Sequence, residues 1–217
     1  MGVSGVIVEG LLLAGPVLAA IVFHEVAHGW VAYAFGDPTA AERGRLSLNP
    51  LAHVDPFGTV VLPGLLLLAP LLLGERLPVF GYARPVPVDF GRLRHPKRDT
   101  ILVALAGPAT NLAMAAVAAL VLSHVPRVGD ALLPALVRVV AIATIQVNCL
   151  LAVFNALPIP PLDGGRVLVA LLPVKTARAL MTLDRVGYVL VLLLLFGTNL
   201  VARLVGPVTA FFFRLGG

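Results

Sequence analysis

The chain has 217 residues, of which 59% are hydrophobic and only 12% are charged. A soluble domain carries about 25% charged residues, so this composition excludes a water-exposed globule and requires a bilayer around much of the chain. The net charge of +5 does not indicate nucleic-acid binding, because the basic residues lie between apolar segments without interleaved aromatic residues. We expect one membrane-embedded domain over residues 1–217.

The first apolar segment runs from about Val6 to Phe35 and exceeds the ~20 residues that a spanning helix needs. It contains His24, Glu25 and His28. Polar side chains inside a span are costly, so this group indicates a functional site. No secretory signal is expected, since the chain starts without basic residues and the apolar run continues past any cleavage site.

The next segments differ in polarity and in proline content. Residues 36–58 form a polar loop, and residues 59–74 are apolar but are interrupted by Pro63 and Pro70. This second segment is predicted to re-enter or tilt rather than to cross. In the basic stretch 75–99, Gly81–Val88 is predicted to be extended, with Pro85 and Pro87 restricting it to the edge of a sheet.

Three further apolar runs predict spans over residues 100–122, 135–157 and 186–205. A short helix is expected over residues 166–183, and the apolar tail 207–217 is expected at the membrane interface. The predicted fold is an all-α polytopic membrane protein. It has about four transmembrane helices, a re-entrant apolar segment and a small extended or β element.

The distribution of Lys and Arg predicts the orientation. Stretches 36–58, 75–99 and 166–185 hold most of these residues and are therefore expected on the cytoplasmic side, with the N-terminus outside. They share one side only if residues 59–74 re-enter. This topology places His24, His28 and Asp163 at a similar depth, in a site that opens toward the cytoplasm.

His24, Glu25 and His28 form the pattern His-Glu-x-x-His. Residues at i and i+4 share a helix face, so both imidazoles can reach one zinc ion, and the glutamate can act as a base. The pattern also recurs by chance, and a histidine pair without metal is the alternative. Inside an apolar span a metal is favoured, because it compensates the polar cluster.

A catalytic zinc needs a third protein ligand and one open position. Cys149 is the single cysteine, so a cysteine-rich site is excluded. Asp163 is better placed than the remaining histidines, because it follows the third predicted span. Gly164 and Gly165 could adopt φ > 0 and turn the chain sharply, although Asp-Gly is also common in ordinary turns.

Several motifs together resemble the site-2 protease family of intramembrane zinc metalloproteases, in its short form without a PDZ domain. The matching stretches are His24–His28, Ala106–Asn111 (AGPATN) and Asn155–Arg166 (NALPIPPLDGGR). Asn49–Thr59 and Gly81–Val88 look like a bacterial and archaeal subgroup of that family.

The resemblance implies roles for individual residues. It implies that His24, His28 and Asp163 bind Zn²⁺ and that Glu25 is the general base. It also places Asn155 near the metal, where an amide could stabilise the oxyanion or could equally bond between helices.

Two further residues have open roles. Asn111 carries the same ambiguity as Asn155. His53 is either a turn residue of the loop, since DPFGT is a good turn sequence, or an accessory zinc ligand.

The function expected from this resemblance is cleavage of peptide bonds in or near the transmembrane segments of other membrane proteins, within a prokaryotic cell membrane. The lipid bilayer is the expected environment, and Gly81–Val88 could hold an extended substrate by β-addition. Two other classes remain open: a zinc-binding membrane protein without protease activity, and a small transporter. The sequence specifies neither the substrate nor the oligomeric state.

Overall fold

The computed structural model describes residues 3–73, 81–126, 132–182, 187, 193 and 197–217. Three helical stretches are long and apolar enough to cross a membrane: Leu12–Ala34, Pro96–His124 and Leu132–Asn155. They confirm the first three predicted spans. The predicted fourth span, residues 186–205, lies largely outside the described residues.

The α-helices of the described residues are separated by connections of very different length. They are α1 (Val3–Ala34), α2 (Thr39–Glu42), α3 (Leu62–Leu73), α4 (Pro96–His124), α5 (Leu132–Asn155), α6 (Asp163–Leu171), α7 (Val174–Met181) and α8 (Leu200–Leu215). A 3-10 turn at Pro50–Ala52 and a π-helical turn at Pro56–Val61 lie between α2 and α3. Whether Pro56–Leu73 re-enters or crosses stays a prediction.

Helix α4 is central and packs against α1, α5, α6 and α8. The core between α4, α5 and α8 consists mainly of alanines, with a few larger side chains. Its buried members are Ala115, Ala118, Ala119, Leu122, Ala141, Ile145, Cys149 and Phe212. Small residues let helix backbones approach closely, which is how membrane helices gain packing without a hydrophobic driving force.

One end of the bundle is covered by two irregular segments. The segment Gly81–Val88, here called the strap, runs across the loop 36–61. Tyr82 N–H donates to the Gly58 carbonyl over 3.0 Å, and Arg84 N–H donates to the His53 carbonyl over 2.9 Å. The described residues form no strand, because these bonds reach isolated loop carbonyls rather than a neighbouring strand. The predicted β element is therefore not confirmed.

One expectation near the C-terminus was wrong in detail. The helix predicted over 166–183 is two helices, α6 and α7, which are separated at Leu172 and Pro173. Proline disfavours helical geometry at the residue before it and has no N–H to donate. The tail belongs largely to α8, whose Phe212 is buried against α4 and α5; its position at the membrane interface stays a prediction.

Candidate metal centre

Three side-chain atoms from two distant parts of the chain converge at one point. His24 Nε2 and His28 Nε2 lie 3.0 Å apart, and they lie 3.1 and 3.2 Å from Asp163 Oδ2. The two imidazoles come from successive turns of α1, and the carboxylate comes from the first residue of α6. Both histidines are buried and Asp163 is nearly so. The structure thus brings together the three residues predicted to bind the metal.

Asp163 reaches this position because α6 begins in close contact with the preceding loop. A Cβ at Gly164 would overlap the carbonyl oxygen of Ala156, and a Cβ at Gly165 would overlap the backbone of Pro160. Neither glycine has a positive φ, so the expected left-handed turn was wrong. These positions require glycine because a second backbone occupies the space of a side chain.

A third glycine lets the two imidazoles pack directly against the backbone of α4. A Cβ at Gly107 would lie 2.5 Å from His24 Cε1, 2.5 Å from His28 Nε2 and 2.6 Å from His24 Nε2. Both rings therefore pack against Gly107, here called the Gly107 floor of the site. Asn111 stands one helical turn further along α4, on the same face.

Each imidazole is oriented through its other nitrogen. His28 Nδ1 lies 2.6 Å from the Val103 carbonyl, which can only accept, so Nδ1 carries the proton. His24 Nδ1 lies 2.6 Å from Asn111 Oδ1 and carries its proton by the same reasoning. In a neutral imidazole the second nitrogen then has a free lone pair. Both Nε2 atoms therefore face Asp163 as acceptors.

The carboxylate completes a cluster of acceptors without a donor. Asp163 Oδ2 is buried and has no hydrogen-bond partner among the described residues. Burial raises the pKa of Asp163, but a protonated imidazole of His24 or His28 outweighs burial and lowers it overall, so the carboxyl is an anion when a cation stands beside it. With both imidazoles neutral, two nitrogen lone pairs and a buried anion face one another within van der Waals distance, and a metal cation between them satisfies all three.

The spacing of these atoms fits zinc. Bonds of ~2.0–2.1 Å in tetrahedral geometry place two ligand atoms about 3.3 Å apart. The observed separations of 3.0, 3.1 and 3.2 Å are close to this edge. Three protein ligands also leave one coordination position for water or substrate, which is the pattern of catalytic zinc rather than structural zinc.

Glu25 is adjacent to the cluster and is half-buried. Its Oε2 accepts a hydrogen bond from the Val86 N–H of the strap over 2.7 Å. Val86 can come this close because Gly29 has no side chain. A Cβ at Gly29 would lie only 2.9 Å from Val86 Cγ1. The strap thus crosses α1 directly beside the histidine pair and touches the predicted base.

Arg45 fastens the strap at this point. The buried guanidinium donates to the Arg84 carbonyl over 2.6 Å and to the Pro85 carbonyl over 3.3 Å. The next N–H along the strap, that of Val86, is the one held by Glu25. The strap is therefore held from one side by a cation and from the other by an anion.

The strap has few donors left for a substrate strand. The N–H groups of Tyr82, Arg84 and Val86 are bonded inside the molecule. Pro85 and Pro87 have no N–H. In this conformation the β-addition expected for Gly81–Val88 has little main-chain support, since only alternate N–H groups point to each edge of an extended segment.

The other predicted residues lie outside the cluster of three. Asn155 ends α5 and donates from Nδ2 to the Leu151 carbonyl over 3.0 Å. His53 is 2% exposed, donates from Nε2 to the Ser47 carbonyl over 2.7 Å, and its own carbonyl supports the strap. Their predicted roles, as oxyanion ligand and accessory zinc ligand, stay predictions.

Sequence reasoning missed Arg45, Gly107 and Asn148. Asn148 is fully buried in α5 and bonds to Asn111 over 2.8 Å. A lone amide in an otherwise apolar span is itself a signal. Gly107 could have been found from its place in AGPATN, because it shares a helix face with Asn111 at spacing i+4.

Comparison with known proteins gives consistent matches. Residues 124–194 match the model of peptidase family M50. "Putative zinc metalloprotease YwhC" of Bacillus subtilis is 37% identical over 88% of this chain and 82% of its own length. "Putative zinc metalloprotease Rip2" of Mycolicibacterium smegmatis is 34% identical over 82% of this chain and 64% of its own length. The protein of the same name in Mycobacterium tuberculosis H37Rv is 35% identical over 84% and 66%. No solved structure gives a significant match.

Proposed function

Because the chain belongs to peptidase family M50, the family of the site-2 proteases, we propose that it is a zinc-dependent endopeptidase that cuts membrane proteins in or near their transmembrane segments. The observation that carries this proposal is the convergence of two imidazole nitrogens and one carboxylate oxygen, from His24, His28 and Asp163, at separations of 3.0, 3.1 and 3.2 Å. Such a cluster holds a divalent cation, and its nitrogen and oxygen donors suit zinc.

Zinc bound by these residues supplies a Lewis acid, which polarises a peptide carbonyl and lowers the pKa of a water molecule to ~7. Glu25 takes the proton of the attacking water and returns it to the leaving amine. Because Glu25 directly follows His24 in α1, His24 fixes the distance between Glu25 and the metal. Glu25 Oε2 accepts the N–H of Val86, and the other lone pairs of the carboxylate remain available for the proton of the water.

The location of the ligands supports cleavage within the membrane. His24 and His28 lie in the candidate span Leu12–Ala34, and α4, which carries Gly107 and Asn111, is a second candidate span. A substrate helix that reaches these residues must unwind, because a peptide bond inside a helix is shielded by its own turns. The basic stretches 36–58 and 75–99 are hydrogen-bonded to each other, from Arg84 N–H to the His53 carbonyl and from Arg45 to the Arg84 carbonyl. Basic loops that share one side of a membrane protein support an opening toward the cytoplasm.

The catalytic test compares three forms of the purified, zinc-loaded full chain: wild type, Glu25→Gln and Glu42→Gln. Glu42 is exposed and bonds to Arg92 on the surface, so its variant controls for loss of one carboxylate. Hydrolysis of a model transmembrane substrate should fall by about 100-fold or more in Glu25→Gln, with zinc content unchanged. A chelator should abolish hydrolysis in all forms.

The outcomes separate the components of the proposal. Hydrolysis that survives in Glu25→Gln would exclude Glu25 as the base. A wild-type protein that takes up no zinc would overturn the metal site. Zinc uptake without hydrolysis of any membrane substrate would favour a zinc-binding protein without protease activity.

The orientation has its own test. In a Cys149→Ser background, a single cysteine introduced at the exposed Arg43 should resist an impermeant maleimide in whole cells. It should react once the membrane is permeabilised. Labelling of intact cells would contradict the cytoplasmic opening.

A further inference from the structure

The third span contributes one polar side chain to the interior of the bundle beside the metal site. Asn148 has no exposed surface. Its Oδ1 accepts from Asn111 Nδ2 over 2.8 Å, and its Nδ2 donates to the Thr144 carbonyl over 2.9 Å. Both the oxygen and the nitrogen of the Asn148 amide therefore have a hydrogen-bond partner. The partner of the nitrogen lies within α5, and the partner of the oxygen lies in α4.

We propose that Asn148 is a positioning residue for the metal site, which acts through Asn111 to fix the tautomer of His24. The proposal rests on the proposed function only in taking His24 as a metal ligand. Asn148 belongs to none of the motifs that carry the family resemblance, and its side chain touches neither His28 nor Asp163.

The mechanism depends on which way the amide of Asn111 points. Its oxygen accepts from His24 Nδ1, and this leaves His24 Nε2 with a lone pair for the metal. A flipped amide would present NH₂ to His24 instead. Nδ1 would then have to accept, the ring proton would move to Nε2, and the metal would lose a ligand.

Asn111 needs two acceptors behind it to hold the correct orientation. Its Nδ2 donates to the Ala20 carbonyl over 3.2 Å and to Asn148 Oδ1 over 2.8 Å. The first bond is at the long end of the normal range, so Asn148 supplies the shorter one. Asn111 has no exposed surface, so an NH₂ group that lacks an acceptor there carries a full desolvation cost.

Asn148 is in turn prevented from flipping by its own helix. The Thr144 carbonyl can only accept, so it selects the Asn148 NH₂ and turns the oxygen toward Asn111. Proton donation thus runs in one direction, from His24 to Asn111, from Asn111 to Asn148 and from Asn148 to the Thr144 backbone. Three spans are joined by this series, since His24 lies in α1, Asn111 in α4 and Asn148 in α5.

The first test measures zinc affinity of the full chain in detergent by competition with a fluorescent chelator. Asn148→Leu and Asn111→Leu should each weaken zinc binding by about 10–100-fold, the usual range for partners of a ligating histidine. The double variant should bind zinc no more weakly than Asn111→Leu, because Asn148 acts only through Asn111. Losses that multiply in the double variant, or wild-type affinity in Asn148→Leu, would overturn the proposal.

Two further variants separate positioning from folding. Ile145→Ala removes a fully buried side chain one turn away and should lower the melting temperature without changing zinc affinity. Asn148→Asp should bind zinc within about threefold of wild type, because a protonated carboxyl can both accept from Asn111 and donate to the Thr144 carbonyl. An Asp variant as weak as the Leu variant would contradict the proposed series of bonds.

A second measurement does not require zinc. In metal-free protein with ¹⁵N-labelled histidine, the ¹⁵N shifts of His24 should report a proton on Nδ1 in wild type and a mixture of tautomers in Asn148→Leu. A wild-type protein that fails to bind zinc but shows this change would overturn the proposed function and the role of Asn148 at a metal site, and would support only its control of the His24 tautomer. An unchanged His24 tautomer in Asn148→Leu would overturn the positioning role alone.

Discussion

Substitution of Gly107 by alanine tests the metal site with a single methyl group. The added Cβ would stand 2.5 Å from His28 Nε2 and from His24 Cε1, whereas ordinary contacts begin at 3.4 Å. The rings must therefore retreat by about 0.9 Å, the difference between these two distances. Zinc sites tolerate only about 0.2 Å of variation in bond length, so at least one imidazole leaves the coordination sphere.

The expected result is a loss of zinc affinity larger than the about 10–100-fold effect of changing an outer partner. Stability of the metal-free protein should fall by at most about 2 kcal/mol, because crowding costs about 1–3 kcal/mol and alanine favours the helix by about 1 kcal/mol over glycine. Chelator competition gives the affinity, and thermal unfolding in detergent gives the stability.

The matched control is Gly15→Ala in α1, where an added Cβ meets nothing within 4 Å. This variant should bind zinc like wild type. Zinc affinity in Gly107→Ala equal to that of the control would refute the argument that the two imidazoles rest on the surface of α4.

Three other substitutions test the supports of the site. Gly164→Ala should weaken zinc binding and should lower the melting temperature by more than Gly15→Ala changes it, since its Cβ would overlap the Ala156 carbonyl. An unchanged zinc affinity would contradict this packing. Arg45→Leu should accelerate amide exchange over residues 82–88 by about 10-fold or more, because it removes charged hydrogen bonds to the strap. Equal exchange in the variant and in wild type, measured by mass spectrometry, would refute the idea that Arg45 holds the strap in place. Asp37→Asn should cost about 1–3 kcal/mol of stability at pH 7. Burial raises the pKa of Asp37, but bonds from Thr39 and the Asp89 N–H lower it overall, so the difference from wild type should be fully present above pH ~3.9 and should shrink as pH falls from there through the lower pKa of the folded state. A difference that grows as pH falls below ~3.9 would contradict this assignment.

The sequence was sufficient for the first three spans and for the three residues that converge, because both depend on local patterns. Long apolar runs have few alternatives to a spanning helix, and the spacing of His24 and His28 fixes their common face. Asp163 was found from the resemblance and from its place after a span. The family assignment is confirmed by the M50 match and by the Bacillus subtilis relative.

The parts that could not be predicted depend on contacts between distant segments. Gly164 and Gly165 were expected to turn the chain, but the structure needs them to let two backbones touch. The donors of the strap could not be assigned from its own sequence, because their partners, Gly58, His53 and Glu25, lie in other elements. The role of Asn148 depends on its distance from Asn111, which neither α4 nor α5 specifies alone.

The order of the ligands along the chain has a consequence for biosynthesis. His24 and His28 enter the bilayer with the first span, whereas Asp163 is made only after the second and third spans. A nascent chain thus holds two imidazoles without the Gly107 floor, the Asn111 partner or the carboxylate, and two ligands retain zinc poorly. All three ligands are available together only after Asp163 has been made, so the site stays incomplete while the second and third spans are being inserted beside it.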